Sequence, residues 1–162
     1  MVKIAYLADH PEHQGIIGQW YWQEWDSYEN LPLSHSLKCA KAGAHKDRLD
    51  LTLIALDNSN NCVGTIQVMA TEHLNDPNFK GLTPWLGSFY VVPEARSGKV
   101  ALMLFNQLMK DVKRLGYKAA YAFTPSLQKF LRRKGSEQLG QTHYAGKTVD
   151  VFKMIIEDTH HG

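Results

Sequence analysis

The chain has 162 residues, 44% of them hydrophobic and 21% charged, a balance that suits a globular protein with one sizeable core. A net charge of +2 is too small to argue for a nucleic-acid surface, and no apolar run approaches the roughly 18 residues that a spanning helix needs. Cys39 and Cys62 sit in helix-like and strand-like runs and read as reduced thiols. The opening MVKIAYLADHPEH has no long apolar segment of a secretory leader, so a cytoplasmic location is expected.

KIAYLA (Lys3–Ala8) reads as a short strand. In DHPEH, Asp9 can cap a helix and Pro11 suits its first turn. EHQGIIGQWYWQEWDSY is predicted as a helix with Ile16 and Trp20 marking its faces, and LPLSHSLKCAKAGAH as a second helix after Pro32. RLDLTLIALD and CVGTIQVMAT form a hairpin about NSNN, whose residues accept turn dihedrals, and Gly64 marks a bulge. EHLNDPNFKG is a polar loop, and PWLGSFYVV a third strand of that sheet.

GKVALMLFNQLMKDVKRLG is the strongest helix. Ala101, Leu104, Phe105, Leu108, Val112 and Leu115 fall on one stripe at 3.6-residue spacing. Lys113 and Arg114 complement its last turn, and Gly116 can close it. YKAAYAF follows as a strand. TPSLQKFLRRKG is a short helix with Thr124 as cap, Pro125 in the first turn and Gly135 at the stop, and QLGQTHYAGKTVDVFKMII is a closing hairpin about Ala145–Lys147. No repeat or linker divides the chain, so residues 1–162 are expected to form one α+β domain (mixed α/β), a mostly antiparallel sheet with one crossover.

One junction carries chemistry. In TPWLGSFYVVPEARSGKVALMLFNQL an apolar strand breaks at Pro93, passes through Arg-Ser-Gly-Lys and restarts as an apolar helix. Such a turn suits a phosphate, because a helix N-terminus offers unpaired N–H groups and partial positive charge. It is neither a P-loop nor a dinucleotide-binding glycine turn. The bland alternative is an ordinary strand-to-helix connection.

The order of elements, and PWLGSFYVVPEARSGKVALMLFNQLM above all, resembles the GCN5-related N-acetyltransferase (GNAT) superfamily over nearly the whole chain. In that family a strand ends in a hydrophobic-x-Pro sequence, and a turn Arg/Gln-x-x-Gly-x-Gly/Ala leads into a long helix; VVPEARSGKVA places Val91, Pro93, Arg96 and Ala101 at the matching positions. YAFTPSLQKFLRRKG resembles the strand–helix segment after the CoA site, which implies Thr124 as a further cofactor-binding residue, and THYAGKTVDVFKM resembles the closing strands. There are two departures. The central glycine of the turn falls at Lys99, with Gly98 one place earlier, and a tyrosine that protonates the departing thiolate in many members is replaced by Leu131.

The resemblance implies a central twisted sheet flanked by helices and acetyl-CoA as cosubstrate. Its pyrophosphate would lie on Ser97, Gly98, Lys99, Val100, Ala101 and Leu102, with Arg96 and Lys99 adding charge. Main-chain groups of Phe89, Tyr90 and Val91 would meet the pantetheine arm, and an N–H near Val91 the developing oxyanion. The implied acceptor is the amine of a small molecule or peptide, attacking directly within a ternary complex, and its ammonium must first lose a proton. Glu72 and His73, after the second strand, are candidate bases; Tyr144 and His143 are candidates from the last hairpin. For each, a surface or packing role is the plainer reading.

The WYWQEW run reads as a substrate wall or as core. KFLRRKG reads as a solvated face or as a neighbour of the CoA 3′-phosphate. The eight histidines show no ligand spacing, so no metal is expected. No nucleic acid or membrane partner is expected, and the family allows a homodimer. Two rivals stand beside the enzyme: a regulatory domain that binds acyl-CoA without catalysis, and a partner-binding module that never touches CoA.

Overall fold

A computed structural model describes residues 1–71, 76–124, 127–144 and 146–156. Seven strands form one sheet in the order β1-β2-β3-β4-β5-β7-β6. The strands are β1 (Lys3–Tyr6), β2 (Leu51–Leu56), β3 (Cys62–Met69), β4 (Trp85–Val91), β5 (Ala119–Thr124), β6 (Glu137–Tyr144) and β7 (Lys147–Ile155). The helices are α1 (Gln14–Glu24), α2 (Leu33–Ala42), α3 (Val100–Arg114) and α4 (Gln128–Arg133). All neighbouring strands are antiparallel except β4 and β5, which α3 joins as a parallel crossover. This is the mixed α+β architecture expected from the sequence. None of the described helices is long and apolar enough to cross a membrane.

Strand β2 shows why two layers of helix are needed. All six of its residues are buried, which fits a strand covered on both faces. Leu51, Leu53 and Ala55 face a core shared with Leu104, Leu108 and Val112 of α3. Ile54 and Leu56 face a second core with Ile17, Trp20 and Tyr21 of α1 and Ala40 of α2. The two glycines of α1 do not break it. Gly18 lets α2 close in, because a Cβ there would stand 2.9 Å from the Leu37 Cα.

Several boundaries differ from expectation. The first strand ends at Tyr6, and two 3₁₀ turns (Leu7–Asp9 and Pro11–His13) replace the expected cap at Asp9. The first helix stops at Glu24, and residues 26–29 form another 3₁₀ turn. On α3 the expected stripe is buried, with Ala101 and Leu115 at its half-buried margins. Asp111 is buried too: it accepts from the Tyr6 hydroxyl at 2.7 Å and from Arg114 Nε at 3.1 Å, tying α3 to β1. Gly116 and Gly135, both at positive φ, close α3 and α4 as expected.

Candidate active site at the β4–α3 junction

Strands β4 and β5 pair only at Trp85 and Tyr121 and then part. Beyond that point β4 keeps β3 on one edge, while its other edge faces a gap. The Val92 amide donates to Val63 O at 3.0 Å. Alternation along an antiparallel ladder therefore turns Tyr90 toward β3, paired with Thr65, and turns the main-chain groups of Val91 away from β3, toward the gap. Of the three residues expected to meet pantetheine, Val91 thus turns its N–H away from β3, Tyr90 is committed to the sheet, and Phe89 lies in a bulge.

A bulge sits in the same stretch. Thr65 pairs with Tyr90 but Gln67 pairs with Gly87, so β4 carries one extra residue. Ser88 lies there at φ 50°, a left-handed conformation unusual for serine. Its hydroxyl donates to Gln67 Oε1 at 3.4 Å. Nothing in PWLGSFYVV announces this feature.

The strand then ends in a 3₁₀ turn at Pro93–Ala95, and α3 begins at Val100. The first main-chain bond into the helix runs from Met103 N–H to Lys99 O at 2.9 Å. No side chain caps the helix start. Among the described residues, the amides of Lys99, Val100, Ala101 and Leu102 have no acceptor, and those of Val100–Leu102 point out of the helix N-terminus. Ser97, Gly98 and Lys99 are exposed, and Val100 is buried beneath them. An open depression of about 440 Å³ lies against this turn on its β1 side, lined by Ser97, Gly98, Lys99 and Met1.

The shifted glycine costs nothing. Lys99 has φ −94° and ψ 12°, and no residue from Arg96 to Lys99 has positive φ. The shift of the glycine to position 98 therefore asks no left-handed dihedral of this turn. Arg96 is engaged by the protein itself: its Nε donates to Val91 O at 2.7 Å, and its guanidinium lies 5.5 Å from the Tyr90 ring centre.

On the far side of the gap, the Thr124 hydroxyl accepts from Leu127 N–H at 2.9 Å where β5 leads toward α4. Pro125 and Ser126 lie outside the described residues. Phe130 of α4 sits edge-on to Phe89 (6.2 Å) and Phe105 (5.2 Å), which fills the space between β4 and α4. Leu131, at the position of the missing tyrosine, is buried in the α3 core. In the basic KFLRRKG run, Arg132 is held by Asp150 (3.5 Å) and Gln138 (3.0 Å).

On the opposite face, α1 brings Tyr21 over the sheet. It is 4% exposed, and its hydroxyl has no hydrogen-bond partner among the described residues, although Thr52, Thr65 and Ser88 are close by. Burial pushes its pKa far above the ordinary tyrosine value. Tyr144 packs against Phe123 at 4.9 Å near the tip of the β6–β7 hairpin. Burial raises its pKa, and the charges of Glu29 and Asp26 raise it further. The carboxylates of Asp26 and Glu29, in the turn after α1, thus lie near enough to Tyr144 for their charge to act on it. His143 is exposed in the same hairpin. Glu72 and His73 lie outside the described residues. Sequence reasoning held Tyr21 only as part of the WYWQEW run, because aromatic residues surround α1 on several sides, and missed Ser88 because only pairing register shows a bulge.

Both thiols are free. Burial raises the Cys39 thiol and pushes Cys62 up to about 12, which disfavours either as an acyl-carrying nucleophile.

The fold is shared with solved acetyltransferases. An aminoglycoside 6′-N-acetyltransferase complexed with coenzyme A superposes with a TM-score of 0.75 at 15% identity, covering 96% of this chain and 98% of that one. A GNAT-family acetyltransferase from Staphylococcus aureus Mu50 gives 0.68 at 15% identity, covering 97% and 100%. The Salmonella typhimurium protein yncA, solved with its cofactor acetyl-CoA, gives 0.70 at 13% identity, covering 99% and 96%. No curated protein matches at a significant level. The family described as "Acetyltransferase (GNAT) family" matches residues 4–133, most of the chain. This protein belongs to that family and is an acyl-CoA-dependent acetyltransferase.

Proposed function

We propose that residues 1–162 act as one N-acetyltransferase domain, moving an acetyl group from acetyl-CoA to a primary amine by direct attack within a ternary complex. The observation that carries this reading is the unpaired N-terminus of α3, set at the end of a strand whose free edge lines a gap. The diphosphate would take the amides of Lys99 to Leu102, beside the exposed Ser97 and Gly98. The pantetheine arm would add to β4 at Phe89 and Val91, beside Tyr90, and the thioester would reach the bulge at Ser88.

The neutral amine nitrogen then attacks the thioester carbonyl. The oxyanion takes the Val91 N–H, a donor of the kind worth roughly 3–4 kcal/mol. Collapse breaks the C–S bond, and the thiolate leaves toward Thr124 and α4 to be protonated from solvent. The amine's surplus proton passes to a base, for which Glu72 is the candidate. Tyr144 keeps its proton at neutral pH, so it acts as a hydrogen-bond donor in the acceptor wall. Asp26 and Glu29 beside it favour a cationic acceptor, in line with the aminoglycoside named for one structural relative.

The alternative is a regulatory domain that binds acyl-CoA without turnover; it draws on Leu131, which supplies no proton. One experiment separates the readings. Calorimetry with CoA should give saturable heat, and thiol release with acetyl-CoA should rise with kanamycin, spermidine or phosphinothricin. Glu72→Gln should lower kcat. Binding without release across the amines would leave the regulatory reading, and no heat at millimolar CoA would remove both.

A further inference from the structure

The two 3₁₀ turns between β1 and α1 gather a cluster that the acetyl-transfer site does not use. His10, Glu12 and His13 each offer one ligand atom, and these atoms lie within 4.8 Å of one another. The backbone arranges this. His10 N–H donates to Leu7 O at 2.9 Å, His13 N–H donates to His10 O at 3.0 Å, and Pro11 fixes φ between them. The bond from His13 N–H to His10 O closes a turn between residues three apart, and the two rings stand with centres 6.1 Å apart. Single-sequence spacing missed the cluster because an i, i+3 pair faces together only once this turn is known.

We propose that His10, Glu12 and His13 form a binding site for a divalent transition metal of zinc type. The donor set fits: two imidazoles and a carboxylate are borderline-soft ligands suited to Zn²⁺ and its neighbours. The distances fit as well. Bonds of about 2.0–2.2 Å at tetrahedral angles place neighbouring ligand atoms roughly 3.3–3.5 Å apart. His10 Nδ1 and Glu12 Oε2 already stand 3.2 Å apart. No ligand atom needs to move much more than about 1 Å to meet the same metal. Both imidazoles are half-buried and Glu12 is exposed, so the site has an entry from solvent. Asp9, the carboxylate next to His10 in the chain, is taken by Lys46 Nζ at 2.7 Å. The fourth position therefore falls to water. The bound ion would clamp the connection from which α1 departs.

The test uses the full chain carrying His160→Ala and His161→Ala, which removes a competing histidine pair. After chelator treatment the protein is titrated with Co²⁺ as an optical probe and with Zn²⁺ by calorimetry. The expected result is one equivalent bound, visible bands of a four-coordinate Co²⁺ site, and a higher Tm with Zn²⁺. His10→Ala, His13→Ala and Glu12→Gln should each weaken binding by about tenfold or more, with unchanged circular dichroism because the side chains lie on a surface turn. Absence of binding at 1 mM Zn²⁺, or binding indifferent to all three substitutions, would overturn the proposal and leave His10 and Glu12 as a hydrogen-bonded surface pair. Acetyl-CoA binding is a separate readout, so neither result bears on acetyl transfer.

Discussion

Arg96 turns back onto the strand it follows, its Nε donating to the main-chain oxygen of Val91 at 2.7 Å. That contact fixes the angle between the gap-facing edge of β4 and the turn that opens α3. A net charge-assisted hydrogen bond and a cation–π contact on Tyr90 are both involved, and the side chain is largely exposed. Arg96→Ala should therefore cost about 1–2 kcal/mol in urea unfolding. It should weaken CoA binding more than loss of one charge would. Arg96→Lys keeps the charge but loses the planar fork, and should restore little of either. Full recovery of CoA affinity by lysine would show that Arg96 acts through charge alone.

Gly98 separates folding from ligand approach. A Cβ built there meets only Ala95 O, at 3.7 Å, an ordinary contact. Its φ is not in the left-handed region. Gly98→Ala should leave Tm unchanged or slightly raised. If a diphosphate lies on the main chain here, the added methyl keeps it away, and calorimetry should show CoA affinity falling about tenfold or more. Equal affinity in both proteins would move the diphosphate off this turn.

How much of this could be read in advance depends on which interaction sets each feature. The α3 stripe, the break at Pro93 and the stop at Gly116 are local, so periodicity and turn chemistry reveal them. The parting of β4 from β5 is not local; it depends on where Trp85 meets Tyr121. The Ser88 bulge is likewise a property of two strands in register. Asp111 reads as a polar helix position beside Val112, yet it is buried because Tyr6, 105 residues away, supplies its partner. On α1, the aromatic run fits several helix faces, so the sequence could not say that Tyr21 joins Trp20 over the sheet.

Leu131 tests the missing proton donor. It is 5% exposed and packs into the α3 core rather than facing the gap. Leu131→Tyr would force a larger ring and an unpaired hydroxyl into that core, costing about 1–3 kcal/mol. With acetyl-CoA and any amine that is turned over, kcat should not rise. A faster variant would mean that the α4 position does reach the thiolate.

Cys62 supplies a pH signature. Its folded pKa is about 12 against an ordinary value of 9.0, with burial the main cause. The folded state holds the proton that the unfolded chain releases, so stability from this group is full below pH 9 and falls as pH rises toward 12. The slope is about 1.4 kcal/mol per pH unit from this group alone. Comparing the urea midpoints of the protein and of Cys62→Ala from pH 8 to 10.5 isolates it: the gap should narrow as pH rises. A constant gap would mean that the thiol is not shielded. Acetyl transfer by Cys62→Ala should persist, because a thiol held protonated at neutral pH is a poor nucleophile.

Tyr21 offers the sharpest separation of structure from chemistry. A buried hydroxyl without a partner costs stability, so Tyr21→Phe should raise Tm or leave it unchanged. The neighbouring hydroxyls have spent their hydrogens: Thr52 donates to Gly43 O at 2.9 Å, Thr65 to Leu53 O at 2.9 Å, and Ser88 to Gln67. What remains around Tyr21 is acceptor capacity, which suits an entering amine or a water carrying its proton. Tyr21 cannot be the base, since burial holds its proton at neutral pH. If the acceptor reaches this enclosed hydroxyl, it meets the attacking nitrogen as a hydrogen-bond donor. Tyr21→Phe should therefore bind CoA normally and lose about tenfold in kcat/KM for the amine, with the acid limb of the pH profile unmoved. A variant that is more stable and equally active would assign the hydroxyl to the core.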